Sequence, residues 1–370
     1  NYLIIYRIIY NISMNSSKEN LQKTRILIIG SGVIGKFNAL ELSQHGYEVT
    51  IADPFEKSNA SNAALGILMG KIYQKRKGRS WLLREKSLKY WPKWINILEK
   101  YNPELQIEKP LIKLTTNEKC FEKLRQFALN NRKDNLEIID LDSKILKNIN
   151  NFFHGNQLQG IISHEDGRVN PKVLLNSLDL CLTENNIQII NKEIVQIKKI
   201  KDKWISTSNL GEELTTEIVI LCNSLEALKF IKNDHIKLRP VLGQAIEIQS
   251  SDKKINFLSL PKHFNIDGKN FIPTEKNKII IGSTNEFSTE PKKQYVDELI
   301  QFMAYTPSWL SEGKICKKWF GIRAMPEGEP SPILKSLDKG LILCSGFYKN
   351  GILLAPACSD WITKEIQKHI

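Results

Sequence analysis

The apolar positions near the start of the chain form two short runs separated by a helical stretch. The run from Arg25 to Ile29 is almost continuously apolar, which predicts a strand that is buried on both faces. A glycine-rich turn follows, then a segment with helical periodicity, then a second apolar run that ends at Asp53. This order predicts a βαβ unit and an α/β fold.

Two later segments combine turn, strand and helix signals. Asn170 and Pro171 have the residue types of an N-cap and a first helical position. Near the C-terminus, an apolar run that ends at Cys344 predicts a strand, and a helix is expected to begin near Gly351 after a loop rich in glycine and asparagine. His164 is predicted to be a loop or core histidine and not a catalyst.

The glycine turn has the spacing of a dinucleotide-binding motif. Gly30 allows the tight turn, Gly32 allows a pyrophosphate to approach the backbone, and Gly35 allows the helix to pack on the strand. Asp53 lies 23 positions after Gly30, close to the spacing of about 20 that places a carboxylate on the adenosine ribose. The motif fits NAD and FAD equally, and the alternative is a glycine turn in an ordinary α/β fold.

Two further segments are suited to a flat ligand. The stretch that contains Ala60, Ser61 and Gly66 is rich in small residues, which let the backbone come close to a ring; the alternative is a surface loop. A helix that begins near Gly351 can stabilise negative charge on a reduced flavin. The alternative there is a strand and helix that only close the domain.

Composition places the chain among globular proteins and leaves the charge open to two interpretations. Of 370 residues, 41% are hydrophobic and 25% are charged, enough to bury a sizeable core. The net charge of +13 favours either a nucleic-acid or anionic partner, or a genome-wide bias toward lysine. Because the lysines are dispersed along the chain, they indicate no clear nucleic-acid or membrane partner.

Cysteine usage and the N-terminal residues bear on the compartment. Six scattered cysteines without metal-ligand spacing predict a reduced intracellular protein that binds no metal. The apolar start of the chain is interrupted by Arg7 and is shorter than the roughly 20 residues that a membrane span needs. We therefore expect a cytoplasmic protein, in which residues 1–13, before Met14, are an over-extended reading frame or an ill-ordered part of a tail over 1–23.

Six segments together resemble the glycine/D-amino-acid oxidase (DAO) family, most of all the glycine oxidases associated with thiazole (thiamine) synthesis. They are the Gly30-to-Asp53 unit, ASNAALGIL, HEDGRVNPKVLLNSL, RPVLGQ, WFGIRAMPEGEPSPIL and SGFYKNGILLAP, and the resemblance extends from about residue 24 to the C-terminus. It implies a Rossmann-like FAD-binding domain and a discontinuous, α+β substrate domain built on a mixed β-sheet. Met325 stands where a tethering cysteine would be expected near Arg323, so FAD is expected to be non-covalent.

The resemblance also implies which residues bind FAD. They lie in the glycine turn, at the end of the second strand, along the small-residue stretch, in the IVQI strand and in the C-terminal loop. These residues are Gly30, Gly32, Val33, Ile34, Gly35, Asp53, Pro54, Ala60, Ser61, Leu65, Gly66, Ile67, Ile194, Gly346, Phe347, Tyr348, Lys349, Asn350, Gly351, Ile352 and Leu353.

The substrate residues implied by the resemblance are Arg323 and Lys349. Arg323 would bind the substrate carboxylate, and a guanidinium suits that task because it pairs with a carboxylate through two hydrogen bonds and keeps its charge. The alternative is a structural ion pair with Glu327 or Glu329. The chain differs from glycine oxidases at three positions, with Phe347 for histidine, Lys349 for arginine and Asn270 for tyrosine.

The implied enzyme oxidises the C–N bond of a small amino acid or amine such as glycine, sarcosine or a D-amino acid. A hydride passes from the substrate, held by Arg323, to flavin N5; the imine is hydrolysed to the oxo acid and O2 is reduced to H2O2. No side-chain acid or base is assigned. The predicted FAD-binding domain spans 24–70, 160–224 and 319–370, and the substrate domain spans 71–159 and 225–318. A homo-oligomer is compatible with the sequence.

Three alternative functions remain open. One is a dehydrogenase of the same family that passes electrons to a quinone or carrier instead of O2. Another is the oxidase component of a tRNA-modifying enzyme, which acts on a glycine-like group attached to a base. The third is a flavin-binding protein without turnover.

Overall fold

The computed structural model describes residues 24–55, 60–232 and 235–368. The predicted tail over residues 1–23 lies outside these ranges. The described residues form two compact units, each made of separate chain segments. The first unit contains residues 24–55, 175–232, 235–239 and 324–368, and the second contains residues 60–174 and 240–323.

Strands and helices alternate along much of the chain. The strands are β1 (Arg25–Ile29), β2 (Glu48–Ala52), β3 (Ile67–Leu68), β4 (Leu111–Thr115), β5 (Leu136–Ile138), β6 (Gln159–Ser163), β7 (Gly167–Arg168), β8 (Gln188–Ile190), β9 (Ile194–Ile200), β10 (Lys203–Ser208), β11 (Glu213–Thr216), β12 (Ile218–Leu221), β13 (Lys237–Gln249), β14 (Phe264–Ile266), β15 (Lys269–Glu275), β16 (Lys278–Gly282), β17 (Lys314–Glu327), β18 (Ile333–Asp338) and β19 (Leu341–Ser345). The α-helices are α1 (Val33–Gln44), α2 (Ala60–Ala63), α3 (Gly78–Leu98), α4 (Glu118–Asn130), α5 (Lys144–Phe152), α6 (Pro171–Glu184), α7 (Lys293–Ile300), α8 (Ser308–Ser311) and α9 (Gly351–Gln367). Short 3₁₀ helices span Arg132–Asp134, Ser224–Phe230 and Phe257–Ser259.

A six-stranded sheet forms the centre of the first unit. Its order is β18-β19-β12-β1-β2-β8, and all neighbours are parallel except the edge pair β18–β19. Leu27 and Ile28 on β1 are fully buried, as expected for a central parallel strand covered on both faces. Helices α1 and α9 pack against each other. A second sheet of order β11-β10-β9 also belongs to this unit.

The second unit is built on an eight-stranded mixed sheet. Its order is β17-β13-β16-β15-β14-β4-β6-β5, in which β4 and β14 run parallel. Its main core contains a cluster of aromatic side chains, and the ring of Phe153 meets Phe264, Phe271 and Trp309 edge to face. The small pair β3–β7 is antiparallel. The α/β fold and the mixed sheet predicted from the sequence are confirmed.

The unit boundaries differ from the predicted domain boundaries. Residues 60–70, 160–174 and 319–323 were expected with FAD but belong to the second unit, because β3 pairs with β7 and β6 lies in the eight-stranded sheet. Residues 225–232 and 235–239 were expected in the substrate domain but belong to the first unit, where Ala227, Ile236 and Leu238 join the core around β1. Which segments bind FAD stays a prediction.

Three local predictions from the sequence are confirmed by the structure. Strand β1 has the predicted bounds, and α6 begins at Pro171, with the Asn170 carbonyl accepting from Leu174 N. His164 lies in an exposed loop beside Glu137, as predicted. None of the helices in the described residues is long and apolar enough to cross a membrane.

The second unit contains a buried histidine in an unfavourable environment. His263 is 1% exposed, and neither ring nitrogen has a hydrogen-bond partner within the described structure. Burial, with a smaller contribution from the positive charge of Arg168, lowers the pKa of His263 to about 3. At neutral pH the imidazole is therefore uncharged.

The low pKa of His263 makes the stability depend on pH. Because the unfolded chain binds this proton near pH 6.5 and the folded chain only near pH 3, stability falls as the pH falls through this window, by up to about 1.4 kcal/mol per pH unit. The substitution His263→Leu should flatten the dependence of the unfolding midpoint on pH between these values. The exposed His154→Leu is the control and should keep the wild-type profile. Parallel profiles for His263→Leu and the wild type would contradict the assignment.

Candidate active site

The glycine turn of the first unit is held by close backbone contacts. Gly30 has a φ of +108°, and a Cβ at this position would lie 2.8 Å from the backbone C and O of Cys222. A Cβ on Gly35 would lie 1.9 Å from the Gly30 carbonyl oxygen. The turn therefore requires glycine at both positions, so that α1 packs directly on the end of β1.

Asp53 lies directly after β2 and binds the backbone of the glycine turn. Its Oδ2 accepts a hydrogen bond from Ser31 N at 2.6 Å, and its Oδ1 accepts one from Phe55 N at 2.6 Å. Each carboxylate oxygen has two lone pairs, so these bonds leave acceptor capacity for a hydroxyl group. The geometry is consistent with the predicted ribose role of Asp53 and adds a structural one.

The first unit brings two helix N-termini together. Helix α1 begins after Gly32 and α9 begins after Asn350, and neither preceding residue caps its helix through a side chain. A Cβ on Gly351 would lie 3.9 Å from Cγ1 of Val33. The N-terminal turn of a helix carries N–H groups without intrahelical acceptors and a partial positive charge. Two adjacent helix starts are suited to an elongated anionic ligand.

The C-terminal loop before α9 is sharply bent. Gly346 has a φ of +70°, and a Cβ there would lie 2.8 Å from Cγ of Pro326. Tyr348 has a φ of +52° and donates its N–H to the Ala324 carbonyl at 2.9 Å. The ammonium group of Lys349 lies 5.1 Å from the centre of the Tyr348 ring. The loop is thus fixed by its backbone conformation and by the bond from Tyr348 N to the Ala324 carbonyl.

The thiol groups of Cys222 and Cys344 lie beside Asn38 of helix α1. Asn38 Nδ2 on α1 donates to Cys222 Sγ at 3.5 Å and to Cys344 Sγ at 3.8 Å. Burial raises the pKa of the Cys344 thiol, so that it stays protonated.

Ile194, predicted to contact adenine, is buried in the same core as Ala52 at the end of β2.

The predicted flavin-side residues 60–67 lie in the second unit, and residues 65–66 are hydrogen-bonded to Arg168 of β7 and to Val169, which follows it. A Cβ on Gly66, whose φ is +81°, would lie 1.9 Å from the Val169 carbonyl oxygen, and Val169 N donates to the Gly66 carbonyl. Arg168 Nε donates to the Leu65 carbonyl at 2.9 Å. Ala60 and Ser61 form the start of the short helix α2. Arg168 and Val169 therefore set the path of residues 65–67.

Arg323, near the end of β17, is oriented by neighbours in the second unit. Its Nη2 donates to Ser283 Oγ at 2.7 Å and its Nη1 donates to the Thr284 carbonyl at 3.3 Å. A Cβ on Gly243 would lie 1.9 Å from Nη2, so the guanidinium lies directly against this glycine. The carboxylates considered as alternative partners bind other cations: Glu327 pairs with Arg239 and Glu329 pairs with Lys335.

Asn270 lies next to the segment that contacts Arg323. Its Nδ2 donates to the Gly282 carbonyl at 3.2 Å, and its Oδ1 accepts from Asn265 Nδ2 at 3.0 Å. Gly282 immediately precedes Ser283, whose hydroxyl binds Arg323. The position at which glycine oxidases carry tyrosine is therefore occupied here by a short amide that binds the backbone.

Comparison with known protein families identifies the family of this chain. The family described as FAD dependent oxidoreductase (DAO) matches residues 25–365, which is almost the whole chain. The chain belongs to the DAO family. Its cofactor is accordingly FAD, and the prediction of an FAD-dependent oxidoreductase is confirmed.

Individual DAO relatives cover the chain to different extents. The tRNA 5-methylaminomethyl-2-thiouridine biosynthesis bifunctional protein MnmC of Legionella pneumophila is 24% identical over 381 aligned positions, covering 93% of this chain and 54% of the relative. The chain thus spans about half the length of this curated relative. The glycine oxidase of Pseudomonas putida is 30% identical over 132 positions, 35% of either chain. The crystal structure of glycine oxidase from Bacillus cereus has a TM-score of 0.80 at 21% identity, covering 94% of this chain and 95% of that one, which shows the shared fold.

Some residues that contact the predicted site residues were not predicted individually. Gly243, Ser283 and Thr284 set the pose of Arg323, and Arg168 holds Leu65. Gly243 lies in the segment RPVLGQ and Arg168 in HEDGRVNP, both of which carried the resemblance, but neither received a role. Their roles follow from contacts between segments that are far apart in sequence, as with Arg323 and Ser283, which are 40 residues apart.

Gly32→Val tests the proposed position of the cofactor phosphates. Gly32 has a φ of −64° and a ψ of 176°, which valine can also adopt, so the variant should fold. It should be isolated without FAD, because the side chain would occupy the approach to the α1 N-terminus. Flavin absorbance per polypeptide and the thermal midpoint are measured together. Gly35→Ala is the contrast: it should lower the midpoint itself. A Gly32→Val protein with full flavin content would exclude this position for the pyrophosphate.

Proposed function

We propose that this chain oxidises the C–N bond of a small amino acid or amine that carries a carboxylate, and that Arg323 binds this carboxylate. The observation that carries the proposal is the guanidinium of Arg323, fixed by Ser283 and Thr284 against Gly243 in a chain of the DAO family. Glycine, sarcosine and D-amino acids belong to this substrate class. Dioxygen as the electron acceptor is part of the proposal.

The first unit has the features that FAD requires. The N-terminus of α1, exposed through Gly32, would hold the pyrophosphate, and Asp53 would accept hydrogen bonds from the ribose. The start of α9 at Gly351 and the loop from Gly346 would hold the flavin ring through backbone atoms. When bound, FAD supplies the acceptor for a hydride from the carbon next to the substrate nitrogen. The flavin-side role of residues 60–67 stays a prediction of the family resemblance.

Arg323 is suited to a carboxylate by charge and by geometry. A guanidinium stays protonated at all relevant pH values and presents parallel N–H groups that match the two carboxylate oxygens. Its contacts with Ser283 and Thr284 limit rotation of the side chain before substrate arrives, which lowers the entropy lost on binding. The chain then contributes to the rate chiefly by holding the substrate in one orientation. Lys349 is proposed as a second cationic residue near the ligand.

Arg323→Ala should leave FAD bound and impair oxidation of carboxylate substrates. Loss of a charge-assisted, bidentate pair is expected to lower kcat/KM for glycine or sarcosine by about 100-fold or more. The measurement is anaerobic reduction of the bound flavin at increasing substrate concentration. Arg239→Ala, which removes a half-exposed arginine paired with Glu327, is the control and should behave like the wild type. Equal kcat/KM in Arg323→Ala and the wild type would refute the role of Arg323.

A second candidate substrate is a glycine-like group attached to a tRNA base. It is supported by the MnmC relative, which aligns with 93% of the chain. Strand β17, which carries Arg323 near its end, also exposes Lys314, Lys317 and Lys318. Lysines along one strand can bind a phosphate backbone. Such a substrate has the carboxylate and amine of glycine, so the proposed role of Arg323 is the same.

The two candidate substrates are distinguished by mixing the FAD-loaded protein anaerobically with glycine or with tRNA from cells in which the gene for this protein has been deleted. If tRNA is the substrate, it should reduce the flavin at micromolar concentration, and Lys314→Glu with Lys318→Glu should weaken this reaction about 10-fold or more at low salt without affecting glycine. Lys317 is left in place because it pairs with the buried Glu247. Reduction by glycine alone, unchanged in the double variant, would exclude the tRNA candidate.

A further inference from the structure

Three buried polar side chains form a hydrogen-bonded cluster next to Arg323. We name Gln244, Thr284 and Glu286 the Glu286 network; they are 2%, 2% and 0% exposed. Thr284 Oγ1 donates to Glu286 Oε1, and Gln244 Nε2 donates to the same oxygen at 2.9 Å. Gln244 Nε2 also donates to the Lys292 carbonyl at 2.8 Å. The network joins Gln244 to Thr284 and Glu286, which lie 40 and 42 residues further along the chain.

Backbone bonds tie the network to the segments on which it lies. Gln244 N donates to Thr284 Oγ1 at 2.7 Å, and Thr284 N donates to the Gln244 carbonyl at 3.0 Å. Leu242 and Glu286 exchange both backbone hydrogen bonds, at 2.8 and 2.9 Å. The buried carboxylate of Glu286 needs the two side-chain donors, Gln244 Nε2 and Thr284 Oγ1, because a carboxylate without hydrogen bonds is costly away from water. The network therefore fixes residues 242–244 relative to residues 284–286.

These two segments are the ones that touch the Arg323 guanidinium. Gly243, between Leu242 and Gln244, lies against Nη2 so closely that a Cβ would overlap it. On the other segment, Ser283 Oγ and the Thr284 carbonyl accept from Nη2 and Nη1. A shift of residues 242–244 or of residues 283–286 would therefore displace atoms that contact the Arg323 guanidinium.

We propose that the Glu286 network positions Arg323, with Glu286 and Thr284 as positioning residues for recognition of the substrate carboxylate. This inference rests on the proposed function, in which Arg323 binds that carboxylate. The network would act through the backbone at Gly243 and Thr284 and would not contact the substrate. Loss of one hydrogen bond to a charged group weakens binding by roughly 10- to 100-fold, so loss of the network should weaken carboxylate binding by about that factor.

The test uses the FAD-loaded protein and two small probes of similar size, one anionic and one neutral. Glycolate carries the carboxylate, and glycolamide is its neutral counterpart; binding of each is measured by calorimetry and by the change in flavin absorbance. The variants are Thr284→Val, which removes the hydroxyl but keeps the shape, and Thr284→Ser, which restores the hydroxyl. Arg323→Ala gives the value without the guanidinium, and thermal midpoints are recorded for all variants.

Thr284→Val is expected to raise the Kd of glycolate about 10- to 100-fold and leave that of glycolamide unchanged, and Thr284→Ser should return the Kd of glycolate to near the wild-type value. With glycine as substrate, KM should rise more than kcat falls. A purely structural role would lower the thermal midpoint without changing the ratio of the two affinities. Should Thr284→Val not fold, Glu286→Leu is the second variant; it removes the oxygen that accepts both network bonds and should show the same selective loss.

The possible failures are distinguishable. If the wild type prefers glycolate, Arg323→Ala abolishes the preference, and the folded network variant, Thr284→Val or Glu286→Leu, retains it, the positioning role is wrong and the proposed function stands. If the wild type binds glycolate no better than glycolamide, the proposed carboxylate site is wrong, and the positioning role with it.

Discussion

The close contact between Gly30 and Gly35 is the constraint on which the first unit depends. Because a Cβ on Gly35 would lie 1.9 Å from the Gly30 carbonyl, α1 can pack this near to β1 only with glycine at that position. This packing places the start of α1 beside the start of α9 and puts Ser31 within reach of Asp53. One backbone contact thus determines where two helix N-termini and a carboxylate meet, and these are the groups that an anionic dinucleotide needs.

Features encoded by neighbouring residues could be predicted from the sequence. Strand β1, the glycine turn and the acid at position 53 are specified within about thirty residues, because a buried parallel strand and a tight turn have strong local signatures. The start of α6 at Pro171 is equally local, since proline favours the first helical position. The family resemblance then added FAD and a role for Arg323, which no local pattern contains.

Features that depend on distant segments could not be predicted in this way. The eight-stranded sheet joins strands from residues 111 to 327 in an order that does not follow the chain. Ser283 and Gly243 are ordinary residues in sequence and become important only because the fold brings Arg323 to them. The same is true of the unit boundaries: β3 is assigned by its pairing with β7, and Ala227, Ile236 and Leu238 are assigned by their packing, which composition does not reveal.

The most direct measurement is anaerobic mixing of the FAD-loaded protein with glycine and with glycinamide, followed by flavin absorbance. Glycinamide keeps the amine and the reacting carbon but lacks the carboxylate. If Arg323 binds a carboxylate during C–N oxidation, glycine or sarcosine, or a tRNA that bears such a group, should reduce the flavin, and glycinamide should not. Reduction by glycinamide as fast as by glycine, or an oxidised flavin with every carboxylate-bearing amine, would contradict the central claim.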